Sequence, residues 1–224
     1  MSRRGRSNRW TGTAWTGVFF AGLLVFLGTG ASIASEIEDP EAYKAAPRAV
    51  AQQTLDQVIA VLGKRDMTSA ARVSEIEQIV FGVFDFPTMS KLVLARNWKK
   101  FTEPQRKEFV SEFKLYLSRT YGGRLDRYSD TGIEVYGARI EPRGDVTVFS
   151  RVVGSEFDGI EMNYRMRERK GSWKVIDVIV ENVSLVSNFR SQFGEVISRG
   201  GPESLFAKMQ AKNAEQRLID SEAE

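Results

Sequence analysis

Residues 160–180 read IEMNYRMRERKGSWKVIDVIV. Ile160, Met162, Tyr164 and Met166 alternate with Glu161, Asn163, Arg165 and Arg167. A period of two is the pattern of a strand with one covered face and one wet face. The turn-rich RKGS follows, and then WKVIDVIVE is apolar on both faces apart from Asp177, which places it nearer the middle of a sheet.

Upstream, the same period predicts strands over 132–141 and 145–154, joined by EPRGD and followed by GSEFDG. With 160–169 and 172–180 this makes four strands, and the short loops between them dictate an antiparallel meander. The period lengthens before residue 131. PRAVAQQTLDQVIAVLG sets Val50, Leu55, Val58, Ile59 and Leu62 on one helical stripe. Further helices are predicted over Ser69–Val80 and from Asp85–Pro87 onward. In FTEPQRKEFVSEFKLYLSRTYGG, Thr102 and Gln105 form a capping box and Gly122–Gly123 the stop; Phe109, Phe113, Tyr116, Leu117 and Tyr121 share one face. After the sheet, Leu185, Phe189, Phe193 and Val196 mark a helix ended by Gly200, Gly201 and Pro202, and a last helix runs from Glu203 to about Arg217. Helices first, an antiparallel sheet second and helices last predict an α+β arrangement, with helices on one face of a curved sheet.

The chain opens with Arg3, Arg4, Arg6 and Arg9, continues into the apolar run VFFAGLLVFL (18–27) and reaches the small residues GTGASIAS. That order predicts a secretory signal peptide over 1–34, cleaved after Ala34 so that the mature chain begins at Ser35. The apolar run is half the roughly 20 residues that a membrane span requires. Once the four arginines leave with the signal, 28 basic residues face 29 acidic ones, so the overall excess of +3 says nothing about nucleic acid. The absence of cysteine excludes a disulfide framework, a thiol nucleophile and a lipidated cysteine at the cleavage site. The absence of histidine removes the commonest general base and transition-metal ligand.

Two long stretches carry a resemblance. One holds Trp98, Thr102, Gln105, Arg106, Thr120 and Tyr121; the other runs from Trp173 to Val178, through Val183–Val186, to Phe189 and Phe193. Together they resemble the MlaC family, also called the toluene-tolerance (Ttg2D-like) family of periplasmic phospholipid-binding proteins. The sequence departs from that family at Asn182, where Gly usually precedes Val-Ser, and at Ala95–Arg96, where Gly often precedes the Trp region. Asn tolerates positive φ well enough to preserve the first turn. These departures leave open a hopanoid-associated branch.

The resemblance implies a fold like nuclear transport factor two (NTF2), a four-stranded cone covered by N- and C-terminal helices, with acyl chains between sheet and helices. It implies a carrier working between an outer-membrane lipoprotein complex and the lipid-binding ring of an inner-membrane ABC transporter, with phospholipid or a hopanoid-type lipid as cargo and no cofactor. The expected organisation is a signal peptide (1–34), a mature N-terminal segment (35–46), a lipid-binding domain (47–217) and a tail (218–224).

A carrier needs bulky, adaptable apolar walls. Phe109, Phe113, Leu117, Tyr121, Met162, Tyr164, Met166, Leu185, Phe189 and Phe193 have that character, and the helix 109–121 is expected to face the strand 162–166. Periodicity alone does not separate a pocket wall from a filled core. Arg124, Arg127 and Arg190 are candidates for a head-group phosphate, against the ordinary reading of solvated surface arginines. Asp177, an acid in an apolar strand, supports the competing reading of a small NTF2-like isomerase or hydratase with Asp177 as base. The commoner role for a buried Asp is to satisfy neighbouring donors.

Overall fold

The structure, a computed structural model, describes residues 37–123, 125, 131–154 and 156–222, with side chains described as far as residue 214. The expected signal peptide, Arg124 and Arg127 lie outside the described residues.

Each of the first four helices opens on a side-chain cap that satisfies N–H groups without intrahelical partners. Helix α1 (Pro40–Leu62) starts seven residues before the Pro47 that the sequence reading took as its beginning. Asp39 accepts from Glu41 N and Ala42 N, and Pro40 occupies the first turn, where its missing N–H costs nothing. Thr68 caps α2 (Ser69–Val83), and Asp85 caps α3 (Phe86–Leu94). A 3₁₀ turn (Ala95–Lys100) leads to α4 (Glu103–Tyr121), whose Thr102–Gln105 capping box forms as expected.

The sheet corrects the expected four-stranded cone. Its strands β1 (Gly132–Ile140), β2 (Val146–Val153), β3 (Met162–Arg169), β4 (Ser172–Val180) and β5 (Val183–Ser184) pair antiparallel in sequence order. β1 and β5 are the two edges, so the sheet is open and does not close on itself. Every pairing is a local hairpin. The far edge of β4 is taken by two short pieces, β5 beside Ile179–Val180 and a parallel bridge from Phe84 to Val175, so no long strand extends the sheet there. The β3–β4 turn has Lys170 and Gly171 at φ 50° and 77°, and the β4–β5 turn has Glu181 and Asn182 at 46° and 63°. Two-residue turns with both φ positive match the right-handed twist of the strands they join. Asn182 thus holds a left-handed conformation where relatives are expected to place Gly.

Helix α5 (Leu185–Glu222) is broken at Gly200 and Gly201, the expected stop. Gly201 has φ 73°, and a Cβ on Gly200 would collide with Ser204.

Two main apolar clusters result. On one sheet face, Val146 and Val148 of β2 lie opposite Met166 and Tyr164 of β3, which lie opposite Val175 and Val178 of β4; Ala51 and Leu55 of α1 cover them. The second cluster is helical and joins Met89, Val93 and Leu94 of α3, Phe109 and Phe113 of α4, and Phe189, Phe193, Leu205 and Met209 of α5. A smaller one, Val61, Leu62 and Ile76, ties α1 to α2.

Candidate functional site

The ten apolar residues singled out from the sequence divide between the two main clusters. Phe109, Phe113, Phe189 and Phe193 are fully enclosed in the helical cluster. Their rings meet edge-on or stacked: Phe109 on Phe113 at 5.6 Å, Phe113 on Phe189 at 5.6 Å and Phe189 on Phe193 at 5.4 Å between centroids. Tyr164 and Met166 are enclosed against the sheet, with Met162 half-buried beside them. The α4 rings and the β3 side chains, expected to face each other, therefore belong to separate clusters. Leu117, Tyr121 and Leu185 are half-buried at the border of the helical cluster.

Among the described residues, Leu185 and Phe84 pack on both clusters. They mark a seam. From Lys114 to Tyr121, every side chain of α4 is half-buried, whereas Phe109 and Phe113 one and two turns earlier are sealed. Tyr116 belongs to this border too and packs edge-on against Phe189 at 5.8 Å. The sequence reading placed Tyr116 on the aromatic face without including it in the site. It missed Phe84, which ends α2, because the bridge to Val175 joins residues 91 positions apart and leaves no periodic trace.

Polar contacts hold α2 against α4 near this border. Ser118 donates to Glu77, and the Lys114 ammonium sits 3.5 Å from the Phe81 ring centre. Burial pushes the Glu77 carboxyl above the usual carboxylate range, and the charges of Lys114 and Arg119 only partly offset it.

Asp177 does not stand free as a base. Its Oδ2 accepts from Ser184 Oγ at 2.6 Å and its Oδ1 from Val186 N at 3.0 Å, at the N-terminus of α5, where N–H groups without intrahelical partners favour a negative charge. Burial pushes the Tyr164 phenol far above its ordinary value. Arg190 spends its Nε on the Leu92 carbonyl at 2.9 Å.

The sequence profile of the MlaC protein family matches residues 52–211, from the sheet-facing part of α1 through most of α5. The chain belongs to the MlaC family. Among related MlaC-type sequences, the toluene tolerance protein ttg2D of Pseudomonas putida is 29% identical over 127 residues, covering 56% of this chain and 59% of that protein. The intermembrane phospholipid transport system binding protein MlaC of Haemophilus influenzae is 25% identical over 133 residues, 57% of this chain and 61% of that protein. The match thus spans about three fifths of the length of these relatives. A phospholipid-binding protein from Ralstonia solanacearum, solved in complex with a phospholipid, superposes with a TM-score of 0.70 at 25% identity, covering 77% of this chain and 99% of that one.

Proposed function

We propose that this chain is a periplasmic lipid carrier that takes acyl chains into the seam between the helical cluster and the sheet-facing cluster. The observation that carries the reading is the superposition, over nearly its whole length, of a relative solved with a phospholipid. The seam supports it from within the chain: half-buried Leu185 packs on both clusters, Tyr116, Leu117 and Tyr121 lie half-buried at the edge of the helical cluster, and Met162 at the edge of the sheet-facing one. Sealed rings such as Phe109 and Phe113 then serve as the rigid backing of the site.

The energetic need is large. Exposing on the order of 30 methylenes of a two-tailed lipid to water costs about 0.8 kcal/mol each, or roughly 25 kcal/mol. Parting two apolar surfaces around the tails replaces water with side chains on every side. The residues 1–34 would direct the chain to the periplasm. There the carrier would exchange lipid with an outer-membrane lipoprotein complex and with the ring of an inner-membrane ABC transporter. The engagement of both Asp177 oxygens at the start of α5 speaks for a structural role and against use as a catalytic base.

Transfer of a fluorescent phospholipid from donor to acceptor vesicles tests this reading. Addition of the protein is expected to accelerate transfer in proportion to its concentration, and an unchanged rate contradicts it.

A further inference from the structure

The sheet face opposite α1 carries a cleft of about 370 Å³. Register places Arg139, Thr147 and Arg165 in one row across β1, β2 and β3. Phe149, Asn163 and Ile179 continue the floor. Tyr136, 43% exposed, stacks on Phe149 at 6.0 Å and forms the apolar wall.

Three arginines on this face are paired with carboxylates. Arg139 pairs with Glu141 at 2.9 Å, Arg151 with Glu134 at 2.7 Å and Arg167 with Asp145 at 2.6 Å. Arg165 makes no ion pair or hydrogen bond among the described residues, and its Nε is buried without an acceptor. Donors in that condition are rare in folded chains, because the hydration lost on burial goes unreplaced. Glu141, whose charge Arg165 feels, and Asp177, opposite Arg165 in the β3–β4 register, are both committed elsewhere: Glu141 accepts from Arg139 at 2.9 Å and from Thr147 at 2.6 Å, and Asp177 from Ser184 at 2.6 Å and from Val186 N at 3.0 Å.

We propose that this cleft binds a small monoanionic oxyanion, a carboxylate or a phosphodiester, with Arg165 as its counter-charge and the Tyr136–Phe149 pair as its apolar wall. A guanidinium offers such a group paired, charge-assisted donors, and an oxyanion supplies the acceptor that no described residue provides. A single negative charge suits the site better than two. Glu161 lines the same cleft four residues from Arg165, about 13 Å along the strand, and repels a second charge. Tyr164 and Met166 point to the other face of the sheet, so this site is independent of the acyl-chain seam and of the carrier reading.

The test is a titration followed by nuclear magnetic resonance on ¹⁵N-labelled mature protein, both lipid-loaded and delipidated. The probes are benzoate, glycerophosphocholine and neutral benzamide. Saturable shifts of the Arg165 side-chain Nε–H and of the Tyr136 and Asn163 amides are expected with benzoate in both forms of the protein. Arg165→Gln is expected to lower affinity at least roughly tenfold, and Arg165→Lys, which keeps the charge without the paired donors, to fall between. Competition by glycerophosphocholine assigns the oxyanion to a lipid head group; binding of benzoate without such competition assigns it to a free carboxylate. Shifts that never saturate, an equal response to benzamide, or unchanged affinity in both variants would overturn the proposal.

Discussion

The Asp177 carboxylate in β4 accepts the Val186 backbone N–H at 3.0 Å, so a strand buried without a break from Val175 to Val178 also caps helix α5. Ser184 completes the cap, donating to Asp177 and accepting from Ser187 N at 3.0 Å. Asp177→Ala leaves a buried N–H without an acceptor, at a cost of about 1–3 kcal/mol. Thermal unfolding should therefore fall by several degrees, with lipid content unchanged in the folded fraction. A variant that melts like the parent removes Asp177 from this role.

Ala95 sits at φ 46° and ψ −121°, a sparsely populated conformation that costs an L-residue about 1–3 kcal/mol. Ala95→Gly relieves that strain and gives back about 0.4–1 kcal/mol through the added freedom of the unfolded chain. A net stabilisation of about 0.5–1 kcal/mol is expected in a urea titration. Asn182→Gly should gain less, because Asn already tolerates the left-handed region at its φ of 63°.

Two carboxylates should give opposite pH dependence. Burial raises Glu77, so the folded state holds its proton at pH values where the unfolded chain has released it, and stability from this group is lost as pH rises through that window. Burial also pushes Glu141 up, but hydrogen bonds from Thr147 and Arg139, and the nearby charges of Arg139 and Arg165, outweigh it and hold the carboxyl below the usual range. Its contribution is present above the ordinary carboxylate value and lost as pH falls through the lowered one. Relative to the parent, Glu77→Gln should become more stable as pH rises from about 3 to 7, and Glu141→Gln less stable. Urea midpoints across that range check both signs.

Enlarging a side chain separates backing from seam. Phe113 is 1% exposed among three aromatic rings, so Phe113→Trp has no space to enter and should cost about 1–3 kcal/mol. Met162 is half-buried at the edge of the sheet-facing cluster. Met162→Trp should lower lipid recovery while leaving the melting temperature of delipidated protein near that of the parent. Full lipid recovery in Met162→Trp, with a lowered melting temperature, would place Met162 in ordinary core.

The parts of the fold written in short-range chemistry were legible in the sequence. The Thr102–Gln105 capping box, the Gly200–Gly201 break and four strands set off by turn-rich loops each depend on residues a few positions apart. The start of α1 was misplaced because Pro47 resembled a first-turn proline, although Asp39–Pro40 carries the same signal and prevails. β5 has two residues, too few for a period, and exists because the Glu181–Asn182 turn folds them back on β4. The expected cone failed for a related reason: alternation fixes which face of a strand is covered, and says nothing about whether the outer strands meet. Within the site, spacing singled out aromatic residues on one helix face, and of these Phe109 and Phe113 are sealed while Tyr116 and Tyr121 are half-buried. Which are sealed and which border the seam depends on Phe84 and Leu185 bridging elements far apart in the chain.

Native mass spectrometry of the mature protein, purified without detergent from an expressing bacterium, tests the carrier reading most directly. The expected spectrum shows a species heavier than the polypeptide by the mass of one lipid, which collisional activation releases and solvent extraction identifies as a two-tailed phospholipid or a polycyclic lipid. A spectrum containing only the bare polypeptide, from protein that is folded and still takes up no phospholipid from vesicles, would contradict the account.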